Sequence, residues 1–157
     1  MYLGKFAWLT DTALAEWVAS SAVVWPMLEC IHFVSLCFFM GGLLVIDLRL
    51  IGFYRNVRSA MIKQVLHIVL AAFSVNFFTG ILFFAGNTYK YIDNPAFELK
   101  IMLIITAGLN ALFYKLRLSH LLDTTQVTGL SVFVGYFSLL LWAGVIVCGR
   151  MITFFAR

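Results

Sequence analysis

The strongest constraint in the sequence is a long apolar run at residues 26–53, PMLECIHFVSLCFFMGGLLVIDLRLIGF, which also carries Glu29, His32 and Asp47. About 20 apolar residues in a helix cross the hydrocarbon core of a bilayer, so the run predicts a membrane-spanning helix. At 100° per residue the three ionisable side chains fall on one stripe of that helix. Because ionisable groups are costly in lipid, we expect this stripe to face protein and to mark a functional site.

Composition extends the membrane prediction to the whole chain. Its 157 residues are 63% hydrophobic and 11% charged, whereas soluble domains have roughly 45–50% apolar and 25% charged residues. Three further apolar runs, at residues 64–86, 95–118 and 130–155, are separated by short polar links. The sequence therefore predicts one all-α domain over residues 1–157, an integral membrane antiparallel four-helix bundle.

Charge and aromatic residues predict the orientation in the membrane. Residues 11–20 suit a short N-terminal interfacial helix, with Trp8, Trp17 and Trp25 at headgroup level. Lysine and arginine concentrate in the links after the first and third runs, which indicates the cytoplasmic side and places both termini opposite. The net charge of +4 comes without a basic cluster interleaved with aromatics, so the expected partner is the lipid bilayer and not nucleic acid.

Counting along the helices brings several polar residues to one depth. With a rise of about 1.5 Å per residue, His32 and Lys100 lie roughly 8 to 9 Å from the outer ends of their helices. Thr79 and Arg150 reach nearly the same level, and Glu29 lies about one turn closer to the surface. Such groups either bind a ligand or cofactor or form a structural ion-pair network. A third alternative is that Lys100 and Arg150 extend their charged ends to the membrane interface.

A second tier lies deeper, where Asn76 and Asn110 face inward. Amide side chains in membrane bundles commonly form hydrogen bonds between helices, so packing is the simpler interpretation of this tier.

The histidines and sulfur residues bear on metal binding. His67 lies near the other end of its helix and on the opposite face, so one iron cannot bind both His67 and His32. If haem is present, His32 is its best axial ligand. Copper is less favoured: span 1 carries soft ligands, but only Cys30 and Cys37 share a face by heptad spacing.

Several strings together resemble a family of uncharacterised bacterial four-helix membrane proteins, described as a domain of unknown function. The pattern is Glu-x-x-His, Asp-Leu-Arg-Leu-x-Gly, Asn-Pro-x-Phe-x-x-Lys and Gly-Arg, and it covers nearly the whole chain. The resemblance implies a multi-pass protein of the bacterial inner (cytoplasmic) membrane, and the distribution of lysine and arginine then predicts that both termini are periplasmic. The family positions present here are Glu29, His32, Asp47, Arg49, Lys100, Asn110, Trp142 and Arg150.

The first span is more distantly similar to that of HemJ-type protoporphyrinogen oxidases. A histidine is followed by Gly42 ten residues later and by an arginine near the inner end, and a lysine begins the third span. That resemblance implies haem binding through His32 and Lys100. The proline before the arginine in that family is replaced here by Asp47-Leu48. Copper-resistance membrane proteins of the CopD type are similar in bundle shape alone.

These observations lead to one hypothesis and two alternatives. The hypothesis is a redox-associated membrane protein that binds a b-type haem or a quinone-like ligand, or a lipid, in the outer half of the bundle, as a subunit of a larger membrane complex. In it Glu29 orients His32. The alternatives are a structural or assembly subunit without cofactor and a copper-handling membrane protein; whether any reaction is catalysed is left open. The predicted cofactor-binding residues are His32, Lys100, Glu29, Arg150, Thr79, Asn76 and Asn110, with His32 also the predicted metal ligand.

Overall fold

A computed structural model of the chain describes residues 12–53, 57–117 and 126–155. Four long helices within these ranges are each long and apolar enough to cross a membrane. No strand occurs in the same ranges. For the described residues, the prediction of an all-helical protein with four long apolar helices is therefore confirmed. The helices are α1 (Ala13–Ser20), α2 (Val24–Ile51), α3 (Ser59–Gly86), α4 (Thr88–Tyr91), α5 (Pro95–Arg117) and α6 (Gly129–Phe155).

Local sequence explains where the helices begin and end. The Thr12 hydroxyl accepts a hydrogen bond from the Ala15 N–H at 3.2 Å and caps α1. Gly52 follows α2 with a left-handed φ of 111°, and its N–H bonds to the carbonyls of Leu48 and Arg49. The second apolar helix begins at Ser59, five residues before the predicted start at residue 64. The apolar run marks the part of the helix that is suited to contact with lipid, whereas the helix itself extends into the polar flank.

Asn94 fastens the start of α5. Its Oδ1 accepts hydrogen bonds from the N–H groups of Ala96 at 3.1 Å and Phe97 at 3.4 Å, as a cap residue before a proline should. Its Nδ2 donates to the Ile152 carbonyl of α6 at 3.0 Å. Asn94 is 2% exposed, so one buried amide both caps α5 and ties it to α6.

The long helices pack in the spatial order α3, α2, α6, α5. The centre of the molecule is aromatic: Trp142 of α6 meets Phe39 of α2 edge-on, with ring centroids 4.6 Å apart, and Phe73 of α3 at 6.1 Å. We call these three side chains the aromatic layer. Phe39 also belongs to a buried cluster with Ile46, Ile62, Val69 and Ala72, against which Phe73 and Trp142 pack.

The outer surface of the long helices is apolar. Large side chains that are more than half exposed occur on all four of them, which is the reverse of the pattern in a soluble protein. Such a surface is suited to contact with lipid acyl chains, in agreement with the predicted bilayer partner. Examples are Phe33, Phe38, Phe77, Phe78, Met102, Leu140 and Phe154.

The contact of α2 with α3 predicts a difference between two adjacent glycines. A Cβ at Gly42 would lie 2.5 Å from Val69 Cγ2 and 3.3 Å from Val65 Cγ1, whereas a Cβ at Gly41 would meet nothing within 4 Å. Valine has few alternative rotamers in a helix. We therefore expect Gly42→Ala to lower the free energy of unfolding by about 1 to 3 kcal/mol relative to Gly41→Ala. Unfolding both variants in the same detergent measures this difference; equal stabilities would contradict the close contact.

Candidate functional site

His32 of α2 is held by Thr79 of α3. The His32 Nδ1 lies 2.7 Å from the Thr79 Oγ1, and Thr79 is 5% exposed. The hydroxyl of Thr79 has one proton, and carbonyl oxygens that can only accept lie 2.8 Å away at Val75 and 3.1 Å away at Asn76. The Thr79 oxygen therefore accepts a hydrogen bond from the His32 Nδ1–H. This leaves Nε2 as the nitrogen with the free lone pair, able to bind a metal or a proton.

The backbone of His32 is held by a second contact between the same two helices. Asn76 Nδ2 donates to the Ser35 Oγ at 2.7 Å and to the Ala72 carbonyl at 3.2 Å. The Ser35 hydroxyl in turn donates to the His32 carbonyl at 3.0 Å. Sequence reasoning placed Asn76 in a packing tier and missed Ser35, although its position one turn from His32 puts it on the same stripe.

Lys100 of α5 approaches the same region from the other side. A Cβ at Gly149 of α6 would lie 3.7 Å from the Lys100 Nζ and 3.9 Å from its Cε, so the lysine passes over the bare backbone of a glycine. The Lys100 charge acts on the His32 imidazole, and Cys148 lies close enough to Lys100 to interact with it electrostatically. All four long helices thus contribute to one place, which we call the His32–Lys100 site: His32, Thr79, Lys100 and Gly149.

Aromatic side chains and Glu29 form the rim of this site. The Phe83 ring meets the His32 ring edge-on, with centroids 5.4 Å apart. On its other contact, the Phe83 ring lies 5.2 Å, centroid to centroid, from the Trp25 ring. The Trp25 Nε1 donates to the Glu29 Oε1 at 2.9 Å. Glu29 is exposed, and it is Thr79 that holds the His32 ring in the role the sequence had suggested for Glu29. A carboxylate one turn closer to the helix start reaches the indole four residues before it more readily than the imidazole.

A second aromatic group joins α3 to α5 beside this rim. Phe84 and Phe97 are stacked with centroids 5.7 Å apart, and Tyr91 of α4 lies 5.2 Å from Phe97. Burial raises the pKa of the Tyr91 phenol, and the nearby Glu29 carboxylate raises it further. The phenol is therefore neutral at any physiological pH.

Two predicted residues lie away from the site. Arg150 follows Gly149, but its side chain is exposed. Asn110 donates from Nδ2 to the Val134 carbonyl of α6 at 3.3 Å, which joins α5 to α6 closer to their other ends. Of the seven predicted residues, the structure therefore brings together His32, Thr79 and Lys100, places Asn76 one turn away and Glu29 at the rim, and leaves Arg150 and Asn110 outside.

The side chains able to bind metals are dispersed. Within the described parts of the chain no three histidine, cysteine or carboxylate side chains gather in one place. Cys30 and Cys37 are exposed and Cys148 is buried, whereas His67 is exposed and its Nδ1 lies 2.7 Å from the Lys63 carbonyl. His120 lies outside the described residues. The site thus offers one imidazole nitrogen and one ammonium.

That donor pair fits two kinds of ligand. The Nε2 of His32, with the other ring nitrogen fixed by Thr79, would bind the iron of a b-type haem. Lys100 would pair with the anionic propionates of such a group. A quinone head group needs a hydrogen-bond donor at a carbonyl oxygen and an acceptor for a hydroxyl proton, and the same two side chains provide them.

A separate groove of about 360 Å³ lies between α1 and the end of α3. Its lining includes Glu16, Asn87 and Tyr89, and none of its lining residues belongs to the His32–Lys100 site.

Comparison with protein-family models, with curated proteins and with solved structures gave no match. The fold and the site by themselves define the class: a helical protein suited to multiple passes through a membrane, with a polar site shared by four apolar helices.

The contact between His32 and Thr79 predicts a tautomer. In a His67→Gln, His120→Gln variant, His32 is the one histidine that remains of the three in the chain. All imidazole ¹⁵N resonances of this variant therefore come from His32. We expect them to report a protonated Nδ1 and an unprotonated Nε2. Thr79→Val should lower the population of that tautomer because it removes the acceptor, and Thr79→Ser should preserve it. A neutral His32 with its proton on Nε2, in the variant that retains Thr79, would contradict the assignment.

The rim predicts a pH dependence for Tyr91. Glu29→Gln removes a negative charge that disfavours the phenolate, so we expect the pKa of Tyr91 to fall. Because the folded state keeps Tyr91 protonated above the ordinary tyrosine pKa of about 10, its contribution to stability is present below that pH and is lost as the pH rises. Phenolate absorbance, with Tyr91→Phe to identify the signal, measures the shift. An unchanged Tyr91 titration in Glu29→Gln would show that the Glu29 charge does not affect the Tyr91 phenol.

Proposed function

We propose that this protein is a redox-associated integral membrane protein. In this proposal it binds a b-type haem or a quinone-like ligand at the His32–Lys100 site and works as a subunit of a larger membrane complex. One observation carries the proposal: the Lys100 charge acts on the His32 imidazole, and the residues around the two side chains belong to four apolar helices. Intramembrane groups of this kind are costly to bury and usually mark a pathway or a ligand site.

The proposal includes an orientation in the membrane. The four long helices cross in alternating directions, both termini are periplasmic, the membrane is the bacterial inner membrane, and α1 lies at the interface. The pairing of His32 with Thr79 and of Ser35 with Asn76 supports opposite directions for α2 and α3. Exposed Lys115 and Arg117 in the last turn of α5 support a cytoplasmic location for that end.

The residues of the site have separable roles in binding. His32 supplies Nε2, and Thr79 fixes the plane of the imidazole through Nδ1. Lys100 pairs with an anionic oxygen of the ligand or donates a hydrogen bond to a carbonyl oxygen. Phe83 packs edge-on against the imidazole, and Trp25 packs against Phe83. When bound, a haem or quinone supplies one-electron chemistry.

A second candidate, a structural or assembly subunit without cofactor, is favoured by a specific observation. The hydrogen bonds from His32 to Thr79 and from Asn76 to Ser35 join α2 to α3 at adjacent turns. Interhelical bonds of this type stabilise membrane bundles by about 0.6 kcal/mol on average. In this candidate the polar groups serve only to fix the relative position of the two helices.

Purification of the intact protein from its native membrane in mild detergent separates the two candidates. We expect either a visible Soret band or a co-extracted quinone detected by chromatography. His32→Ala should abolish the bound cofactor and Lys100→Met should reduce its occupancy. His67→Ala is the matched control, because His67 is exposed and outside the site, and it should leave occupancy unchanged.

A folded preparation with neither cofactor would overturn the redox proposal. If His32→Ala then lowers thermal stability while His67→Ala does not, the structural candidate stands. Stoichiometric copper in the purified protein would replace both with the copper-handling alternative.

A further inference from the structure

A second polar group lies far from the His32–Lys100 site, where Asp47 of α2 meets α6. Asp47 is 3% exposed, and Ser138, whose side chain is hydrogen-bonded to it, is 6% exposed. The Asp47 Oδ2 has no hydrogen-bond partner within residues 12–53, 57–117 and 126–155. A carboxyl group is therefore buried between two apolar helices with one oxygen unsatisfied, which is rare and calls for an explanation.

The helices are close together around this carboxyl group. A Cβ at Gly135 of α6 would lie 3.0 Å from the Asp47 carbonyl oxygen and 3.0 Å from the Ile51 Cγ1. One turn along, the Ser131 hydroxyl donates to the Leu50 carbonyl at 3.1 Å. Packing of this kind leaves little space for a hydrated ion beside Asp47.

Titratable groups also occur on the elements around Asp47. Arg49 on the same helix donates to the Val57 carbonyl. Tyr136 of α6 is exposed, and the phenol of Tyr114 on α5 packs against the cluster that contains Leu50 and Val134. Four basic side chains of the neighbouring elements are exposed: Arg58, which immediately precedes α3, Lys63 on α3, and Lys115 and Arg117 on α5.

We propose that Asp47 is a proton-binding site: it is held in the bundle as the neutral carboxylic acid and exchanges its proton with the side of the membrane on which α2 ends. A neutral acid is far less costly to bury than an unpaired carboxylate. A proton needs no coordination shell, whereas metal cations take several oxygen ligands. Asp47 lies four residues before the end of α2, roughly 6 Å along the axis, so water is near enough for exchange. This site is independent of any ligand at His32.

Carbon-13 labelling of the aspartate carboxyl groups tests the proposal in the full chain in lipid vesicles. The chain has four aspartates, Asp11, Asp47, Asp93 and Asp123. At pH 7 we expect one resonance at the position of a neutral acid, lost in Asp47→Asn. Asp93→Asn is the matched control and should retain it, because Asp93 is exposed and its φ of 58° is one that asparagine adopts readily. The infrared carbonyl stretch of the acid should likewise vanish only in Asp47→Asn.

Two results would overturn the proposal. Four carboxylate resonances at pH 7 would show that Asp47 is ionised. A displacement of the Asp47 resonance by sodium or potassium ions would show a cation site instead. If Asp47→Asn does not fold, Asp11→Asn, Asp93→Asn and Asp123→Asn assign the remaining resonance by elimination.

Discussion

The hydrogen bond between His32 and Thr79 is the interaction on which the candidate site depends. Lipid offers no water to satisfy an imidazole N–H, so the nitrogen that faces α3 must find a partner in protein. Thr79 supplies it at 2.7 Å while its own proton goes to its helix backbone. The bond joins two helices, fixes the ring and directs the remaining lone pair away from α3. A valine at position 79 would leave a buried donor without an acceptor, and such losses cost more than the bond itself contributes.

Polar groups occur at two levels of the bundle, with apolar packing between them. His32 and Asp47 lie on the same helix, 15 residues apart, which is roughly 22 Å along its axis. Between them α2, α3 and α6 meet in the aromatic layer of Phe39, Phe73 and Trp142. The two polar levels are therefore separated by side chains that exclude water. In an apolar environment each level must satisfy its own polar groups, and the Oδ2 of Asp47 is one atom for which this condition is not met among the described residues.

The sequence was sufficient to predict much of the fold and part of the site. Apolar run lengths and a fixed rise per residue are properties of any helix, so the four long helices and the common level of His32, Thr79 and Lys100 could be derived from counting. The haem-binding role of His32 and Lys100 that the resemblance to HemJ-type oxidases implies remains a prediction.

Other features depend on the rotation of each helix and on local competition, which counting does not determine. Glu29 was expected to orient His32, but its carboxylate accepts a hydrogen bond from the Trp25 indole four residues earlier. Arg150 is only one residue beyond Gly149, yet 100° of rotation turns its side chain outward. Ser35 could have been found from its spacing to His32, whereas the partner that makes it informative, Asn76, lies on another helix.

An experimental map of the protein in a lipid nanodisc, purified with whatever it carries, tests the central claim most directly. The account predicts density for a flat ligand that touches the Nε2 of His32 and the Nζ of Lys100, with Thr79 bonded to Nδ1. Continuous hydrocarbon packing against Nε2, with the Lys100 ammonium turned towards lipid headgroups, would contradict it.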